Sequence, residues 1–284
     1  MKFTEYENPE ELHHVQELLL MLVKELNRVC DALKIPVFAY GGTAIGAVRH
    51  GGFIPWDDDA DFGLLRKDYE RFLNEAPALL GDQFEIVNNR TNENYPSNIS
   101  ILALKGTYSV PETFEKCKYQ YPIRIDIFAF DNRVNDEKLF RKQRRSAIIW
   151  GRLTFLRGTS RPYIAFNGPK EAIALAGCKI VHGLMILFNV SQRHVCNKWE
   201  TIATKYNDAA SDTVVDFSDM YPEKWQISYS ELFPLKKMKF EDTSVFVPND
   251  YDAVLKREYG NYMEIPPVEE RKNHHPARLD FGNY

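Results

Sequence analysis

The sequence predicts an α+β fold: a mixed sheet with flanking helices and a helical insertion. Three observations carry this expectation. A long amino-terminal segment has a helical period, short apolar runs bounded by turn residues recur before residue 135 and again after residue 211, and the stretch between them reads as helix. The expected division is therefore a core built from residues 1–135, a helical insertion at 136–210 offering a substrate or membrane contact, and residues 211–284 returning to the core.

Taken in order, Glu10 to Leu33 places Leu12, Val15, Leu18, Leu19, Leu22, Val23, Leu26, Val29 and Leu33 on a helical stripe, and Asn8 followed by Pro9 supplies a cap and first turn. Val37 to Tyr40 is a short strand that stops at two glycines. Thr43 to His50 is a short helix, so Gly41, Gly42 and Thr43 fall at a strand-to-helix junction, where outward-facing backbone amides favour anions and phosphates in particular. An acidic strand beginning at Asp59 follows, then a helix from Lys67 to Leu80. The runs "FEIVNN", "NISILAL" and "IRIDIFAFD" read as successive strands, the last from Ile123 to Phe130. Beyond the helical middle, "LFPLKKMKF" and "TSVFVP" return to strand, and a helix from Asp250 to Tyr259 ends at Gly260.

Composition narrows the classes. With 44% hydrophobic and 27% charged residues in 284, the chain reads as a soluble globular protein able to bury a core without staples. A net charge of -4 argues against broad nucleic-acid binding, and the basic cluster "RKQRR", Arg141 to Arg145, reads as an exposed helix face. Cys30, Cys117, Cys178 and Cys196 are widely spaced, which indicates neither a zinc ribbon nor a disulfide framework. The start, "MKFTEYENPEELHH", lacks the basic and apolar parts of a signal peptide, so a cytoplasmic location is expected. The most apolar stretch, Ala172 to Val190, has the length of a membrane span but carries Lys179, His182 and Asn189; it reads as a buried or interfacial helix and is the candidate contact with the inner membrane face.

The segment "YGGTAIGAVRHGGFIPWDDDADFGL" gathers Asp57, Asp58, Asp59 and Asp61 between apolar flanks. A solvated acidic loop would sit among Ser, Lys and Gly; here Phe53, Ile54 and Trp56 lead in and Phe62, Leu64 and Leu65 lead out. In a strand, Asp59 and Asp61 share one face, and two carboxylates 4 to 6 Å apart repel by roughly 3 to 4 kcal/mol at an effective dielectric near 20. A shared proton or a hard divalent cation, Mg²⁺ or Mn²⁺, offsets that. In the later strand Arg124, Asp126 and Phe128 share a face, so Asp126 either pairs with Arg124 or another basic group, or joins the ligands. A strand ending in Gly-Gly-Thr, an Asp-x-Asp on the next strand and a lone Asp on a later one is the arrangement by which nucleotidyltransferase-fold enzymes hold metal ions against a nucleotide's phosphates.

The wording "GGTAIGAVRHGGFIPWDDDADFGL", with the closing "YGNYMEIPPVEERKNHH", resembles the LicD family of phosphocholine transferases, relatives of the fukutin-type phosphoribitol transferases. The resemblance implies a nucleotidyltransferase-like fold and metal-dependent transfer of phosphocholine from CDP-choline to a sugar hydroxyl of a teichoic acid or lipopolysaccharide type glycan precursor, with CMP released. It implies Asp59, Asp61 and Asp126 as metal ligands and catalytic carboxylates, with Asp57 and Asp58 in supporting positions. Gly41, Gly42 and Thr43 match the glycine turn that meets phosphate, and Arg49 is a candidate phosphate clamp or else a surface ion pair. Arg271, Lys272, His274 and His275 would bring positive charge to the leaving phosphate, the alternative being a flexible basic tail. A choline-selecting site needs aromatic faces, and Tyr119, Tyr121, Phe128, Phe130, Phe140, Trp150, Phe155, Tyr163 and Phe166 are the candidates. Competing readings are a phosphoribitol or other CDP-alcohol transferase, a nucleotidyltransferase using CTP, and a catalytically silent binding scaffold.

Overall fold

Helix α1 (Pro9–Leu33) begins where the sequence signals it: the Asn8 side chain accepts a hydrogen bond from the Glu10 amide, and Pro9 opens the first turn. This is a computed structural model describing residues 6, 8–160, 162, 168–271 and 273–284. The chain continues through β1 (Phe38–Ala39), α2 (Gly41–Ile45), β2 (Asp61–Leu65), α3 (Arg66–Glu75), β3 (Phe84–Val87), β4 (Ser100–Leu104), β5 (Tyr108–Val110) and β6 (Arg124–Asn132). Three helices follow, α4 (Glu137–Gly158), α5 (Pro169–Leu187) and α6 (Gln192–Ala203). The remainder is β7 (Thr213–Asp216), β8 (Gln226–Ser228), α7 (Tyr229–Leu232), β9 (Lys236–Phe240), β10 (Thr243–Val247), α8 (Tyr251–Tyr259) and β11 (Arg278–Asp280).

The main sheet is mixed, in the order β1-β2-β6-β4-β3, with β7 pairing the far end of β6 and β8 outside β7. Among the described residues only β2 and β6 run parallel, and their register sets Asp61 directly opposite Asp126. One face is closed by α1: Leu22, Leu26, Phe62, Leu64, Ile125 and Ile127 are buried together. The other face carries the alternate residues, and there Arg124, Asp126 and Phe128 are half-buried while Phe38, Tyr40, Phe130 and Trp225 form a second apolar cluster. The parallel pair is locked at its far end. Arg66, the residue after β2, donates from Nε and Nη2 to Asp131 near the end of β6 at 2.8 and 2.9 Å, and Asn207 adds a 2.7 Å bond to the same carboxylate.

Several boundaries differ from the sequence reading for identifiable reasons. The acidic strand starts at Asp61, and Asp59 lies in the loop before it, because ladder pairing with β6 begins only at Asp61–Asp126. The helix after the glycines starts at Gly41 and changes to a π-helical turn over Gly46–His50. Helix α3 stops at Glu75, where Pro77 forces a short 3-10 turn. Strands β7 and β8, four and three residues long, carry too little pattern to register in sequence.

Candidate active site

The acidic loop and two neighbouring strands bring four carboxylates to one edge of the exposed sheet face. Asp61 starts β2, Asp126 lies across from it, and Asp57 and Asp59 precede β2 in the loop. Asp57 was expected at the strand entrance in a supporting role. Its carboxyl instead faces Asp59, whose negative charge, after burial, is the largest cause holding its pKa well above the ordinary range. Burial also raises Asp61 well above that range, with the charges of Asp59 and Asp126 adding to it. Asp126 is raised by burial, opposed by Arg124. Asp59 is raised by burial first and Asp58 second, but 44% of its side chain is open to solvent, which screens it.

Asp126 lies beside Arg124, one of the two expectations for it. Its Oδ1 lies 3.3 Å from Arg124 Nε, yet neither atom has an aligned hydrogen bond although both are buried. An all-oxygen set with an orphaned buried carboxylate oxygen suits a hard divalent cation by donor chemistry. The side chains are not pre-arranged for one: among the described residues no group of three His, Cys, Asp or Glu forms a ready metal site. A bound cation would have to draw mutually repelling carboxylates together.

Asp58 lies in the same loop before β2, and its side chain is only 5% exposed. It accepts from the His274 backbone amide at 2.9 and 3.0 Å and from the Tyr6 hydroxyl at 3.3 Å. That contact folds the carboxy-terminal segment over the acidic loop. His274 Nδ1 also meets Asp58 at 3.2 Å and Asp59 at 3.8 Å, and the Asp58 hydrogen bond is the main cause raising the imidazole pKa. His275 turns to Glu11 and stacks edge-on against Tyr6. Lys272 lies outside the described residues.

The glycine turn serves the carboxylates before any ligand. Gly41 has φ +55, and a Cβ there would sit 3.3 Å from Asp61 Oδ2; a Cβ on Gly42 would sit 2.8 Å from Asp57 Oδ2. Thr43 is buried, and its hydroxyl accepts from the Asp61 amide at 2.8 Å. The amides of Gly41, Gly42 and Thr43 lie in the first helical turn and so lack acceptors inside their own helix. Arg49 donates to the carbonyls of Tyr262 and Glu264, tying the π-helical turn to the chain after α8. Arg49 and Arg271 both approach Trp56, their guanidinium carbons 6.0 and 4.6 Å from its ring. Two cations 222 positions apart thus flank the residue preceding Asp57.

Of the aromatic candidates, Tyr119, Tyr121, Phe130 and Phe140 are core residues, and Tyr163 and Phe166 lie outside the described residues. Phe155 packs against Phe114, while Trp150 joins the cluster around α4 and α6. Phe128 and the buried Phe130 continue the face of Asp126, and of the two Phe128 is half-buried. It opens a chain of rings that the sequence reading missed: Tyr40 at 4.9 Å, Trp225 at 4.3 Å from Tyr40, and Tyr259 at 5.8 Å from Trp225. Tyr259 is 43% exposed, and its hydroxyl is beside Gly41, next to Asp61. A signal was available, since Tyr259 is the first residue of the closing "YGNYMEIPP" stretch.

Behind this wall lies a further carboxylate. Asp216 is 1% exposed and accepts from Tyr40 Oη at 3.1 Å and from the Ser218 amide and hydroxyl at 2.7 and 2.6 Å. Burial, opposed by the Ser218 hydrogen bonds, lifts its pKa from 3.8 to about 7. The folded protein therefore holds this proton more tightly than the unfolded chain. The stability contribution is complete below the unfolded value and is lost as pH rises through the folded one. Thermal melts are expected to show Tm falling between about pH 4 and about pH 7, with Asp216→Asn flattening the fall. An unchanged slope in the variant would assign the effect to the acidic loop instead.

Residues 34–147 match the family model described as LicD/FKTN/FKRP, nucleotidyltransferase domain, a stretch holding the glycine turn and all four clustered carboxylates. Over 281 residues the chain is 30% identical to the lipopolysaccharide cholinephosphotransferase LicD of Haemophilus influenzae, covering 93% of this chain and 96% of that one. Shorter similarities join it to uncharacterized proteins of Rickettsia typhi, 33% identical over 72 residues (25% of this chain, 23% of that one), and Rickettsia prowazekii, 40% identical over 50 residues (18% and 19%).

Proposed function

The chain belongs to the LicD family, and from that membership we propose that it transfers phosphocholine from CDP-choline to a sugar hydroxyl of a cell-surface glycan precursor, releasing CMP. The acceptor is of lipopolysaccharide or teichoic acid type, and the work is done in the cytoplasm at the inner membrane face. The observation that carries the reading is Asp61 standing opposite Asp126 on parallel strands, with Asp57 and Asp59 brought alongside by the preceding loop. Asp59, Asp61 and Asp126 would hold Mg²⁺ or Mn²⁺, which when bound neutralises negative charge spreading over the transferred phosphoryl group.

The protein's own groups do the rest. First-turn amides of Gly41, Gly42 and Thr43 meet donor phosphate oxygens, and Arg49 and Arg271 face the diphosphate from the Trp56 side. The acceptor oxygen bonds to the phosphorus that carries choline as the bond from that phosphorus to the CMP oxygen breaks. The hydroxyl proton passes to a carboxylate, Asp126 being the first choice because its Oδ1 lacks a hydrogen-bond partner. Phe128 and Tyr259 offer ring faces to the quaternary ammonium, which can donate no hydrogen bond.

Incubation with CDP-choline, Mg²⁺ and a glycan acceptor should yield CMP and acceptor-bound phosphocholine in equal amounts. Pyrophosphate release from CTP would replace this reading with nucleotidyl transfer. Calorimetry should show CDP-choline binding more tightly than CDP-ethanolamine or CMP, and Phe128→Ala or Tyr259→Ala weakening it by about 2- to 30-fold, equivalent to roughly 0.5 to 2 kcal/mol per ring. Equal affinity for CDP-ribitol would defeat the choline assignment and leave the carboxylate site standing.

A further inference from the structure

Helix α5 is nearly all surface. Met185 is its only buried residue among those described, whereas Ile173, Ile180, Leu184 and Leu187 are 73%, 64%, 46% and 75% exposed. Those four fall at i, i+7, i+11 and i+14, one stripe roughly 20 Å long at 1.5 Å per residue, on the side away from Met185. Phe188, just past the helix, extends it at 73% exposed. Stripes of this size on a soluble protein mark a surface that something covers.

The neighbouring helix identifies what. On α4 the exposed positions Lys138, Arg141, Arg145, Ile149 and Arg152 recur at intervals of three or four, a basic face on a protein whose net charge is -4. The only carboxylate pairings of α4 arginines among the described residues involve Arg144, with Glu223, so this face keeps its charge. Four residues beyond Arg152 on the same face, Leu156 is buried and its carbonyl meets His182 Nδ1 of α5 at 2.8 Å. Arg157 then donates to the Val190 carbonyl at the end of the α5 segment. Helices α4 and α5 therefore join where the basic face ends, and the stripe lies on the side of α5 opposite His182, away from that contact.

Spanning is not what these helices are built for. No single helix among the described residues is long and apolar enough to cross a membrane, and the bent pair of α5 with the following helix places Val195, Cys196 and Trp199 of α6 in the protein interior. We propose that α5 and the basic face of α4 form a docking surface for an anionic lipid bilayer, with α5 lying in the interface and α4 contacting headgroups. Acidic headgroups match the cations, and acyl chains match Ile173 to Leu187, in the manner of interfacial amphipathic helices. The surface is separate from the carboxylate site, so this proposal stands whether or not the transfer reaction is as described above.

The test is co-sedimentation of the full chain with phosphatidylcholine vesicles, with and without about one part in four phosphatidylglycerol, at low and high salt. Binding to the anionic vesicles is expected, weakened by salt, and reduced at least about tenfold by either Ile180→Glu with Leu184→Glu or Arg145→Glu with Arg152→Glu. Circular dichroism and Tm guard against unfolding, and lipid-dependent slowing of hydrogen exchange in α5 of the unmodified protein gives a readout that needs no variant. Protein left in the supernatant with anionic vesicles, or binding by either variant pair equal to the parent's, overturns the proposal. So does light scattering that shows a dimer dissociated by the α5 changes, which would assign the stripe to a second copy of the chain.

Discussion

Asparagine in place of Asp59, Asp61 or Asp126 is expected to abolish turnover, by at least about a thousandfold, while leaving the protein folded. The reason lies in the charge balance of the site. Asp61 and Asp126 stand across one ladder position, and Asp57 and Asp59 raise the local negative charge further. Each of the four is pushed up by burial and by like neighbours or opposed by Arg124, so each stabilises the fold only while protonated. Removing one charge relieves the others. Without divalent cations the Tm of each variant should match or exceed the parent's, by about 2 to 4 °C for each kcal/mol of repulsion removed in a chain of this size. Calorimetric titration with Mn²⁺ supplies a readout independent of activity: the parent should bind, and the three variants should bind far more weakly. Near-parental turnover in any variant removes that residue from the site. Lost turnover together with a collapsed Tm would make it a residue of the fold.

The second large effect is expected far from the reacting groups. Asp131→Ala should destabilise the protein by up to about 3 to 5 kcal/mol, because the buried Arg66 guanidinium loses its two shortest hydrogen bonds and keeps only the longer contacts to Glu70 and Glu200, both at 3.3 Å. The Asp131 side chain is fully buried and Arg66 is 12% exposed, so solvent cannot take over the role. Arg66 and Asp131 continue the register that begins at Asp61 and Asp126, and their two hydrogen bonds fix one end of the parallel strand pair. Urea denaturation measures the loss. The double variant Arg66→Met with Asp131→Leu should recover much of it, since no underpaired guanidinium then remains buried and Glu70 and Glu200 keep Arg90. A loss under about 1 kcal/mol for the single change would show that the clamp behaves as an exposed pair.

Much of this architecture could be read from the chain alone, and the residues explain why. Asn8 and Pro9 announce α1, and Asp250 and Gly260 bracket α8, because capping is local chemistry. Alternation along "IRIDIFAFD" put Arg124, Asp126 and Phe128 on one face, where the burial pattern of β6 places them. The apolar flanks of the acidic run showed that its charges enter the fold. These signals depend only on near neighbours.

What depended on distant neighbours could not be read. Nothing between Gly42 and Asp57 in sequence says that a hydrogen on one gives room for a carboxylate on the other, or that the Thr43 hydroxyl holds the Asp61 amide. The role of Asp58 as anchor for His274 joins positions 216 apart, and the contact of Arg49 with Tyr262 joins positions 213 apart. The ring series from Phe128 through Tyr40 and Trp225 to Tyr259 draws on four separate segments of the chain. Sequence by itself determined which residues are chemically able to serve the site, because residue type and local period fix charge, shape and facing. The tertiary structure alone decided which of them meet, because strand register and the return of the last seventy-odd residues to the sheet are set by packing between segments that share no local signal.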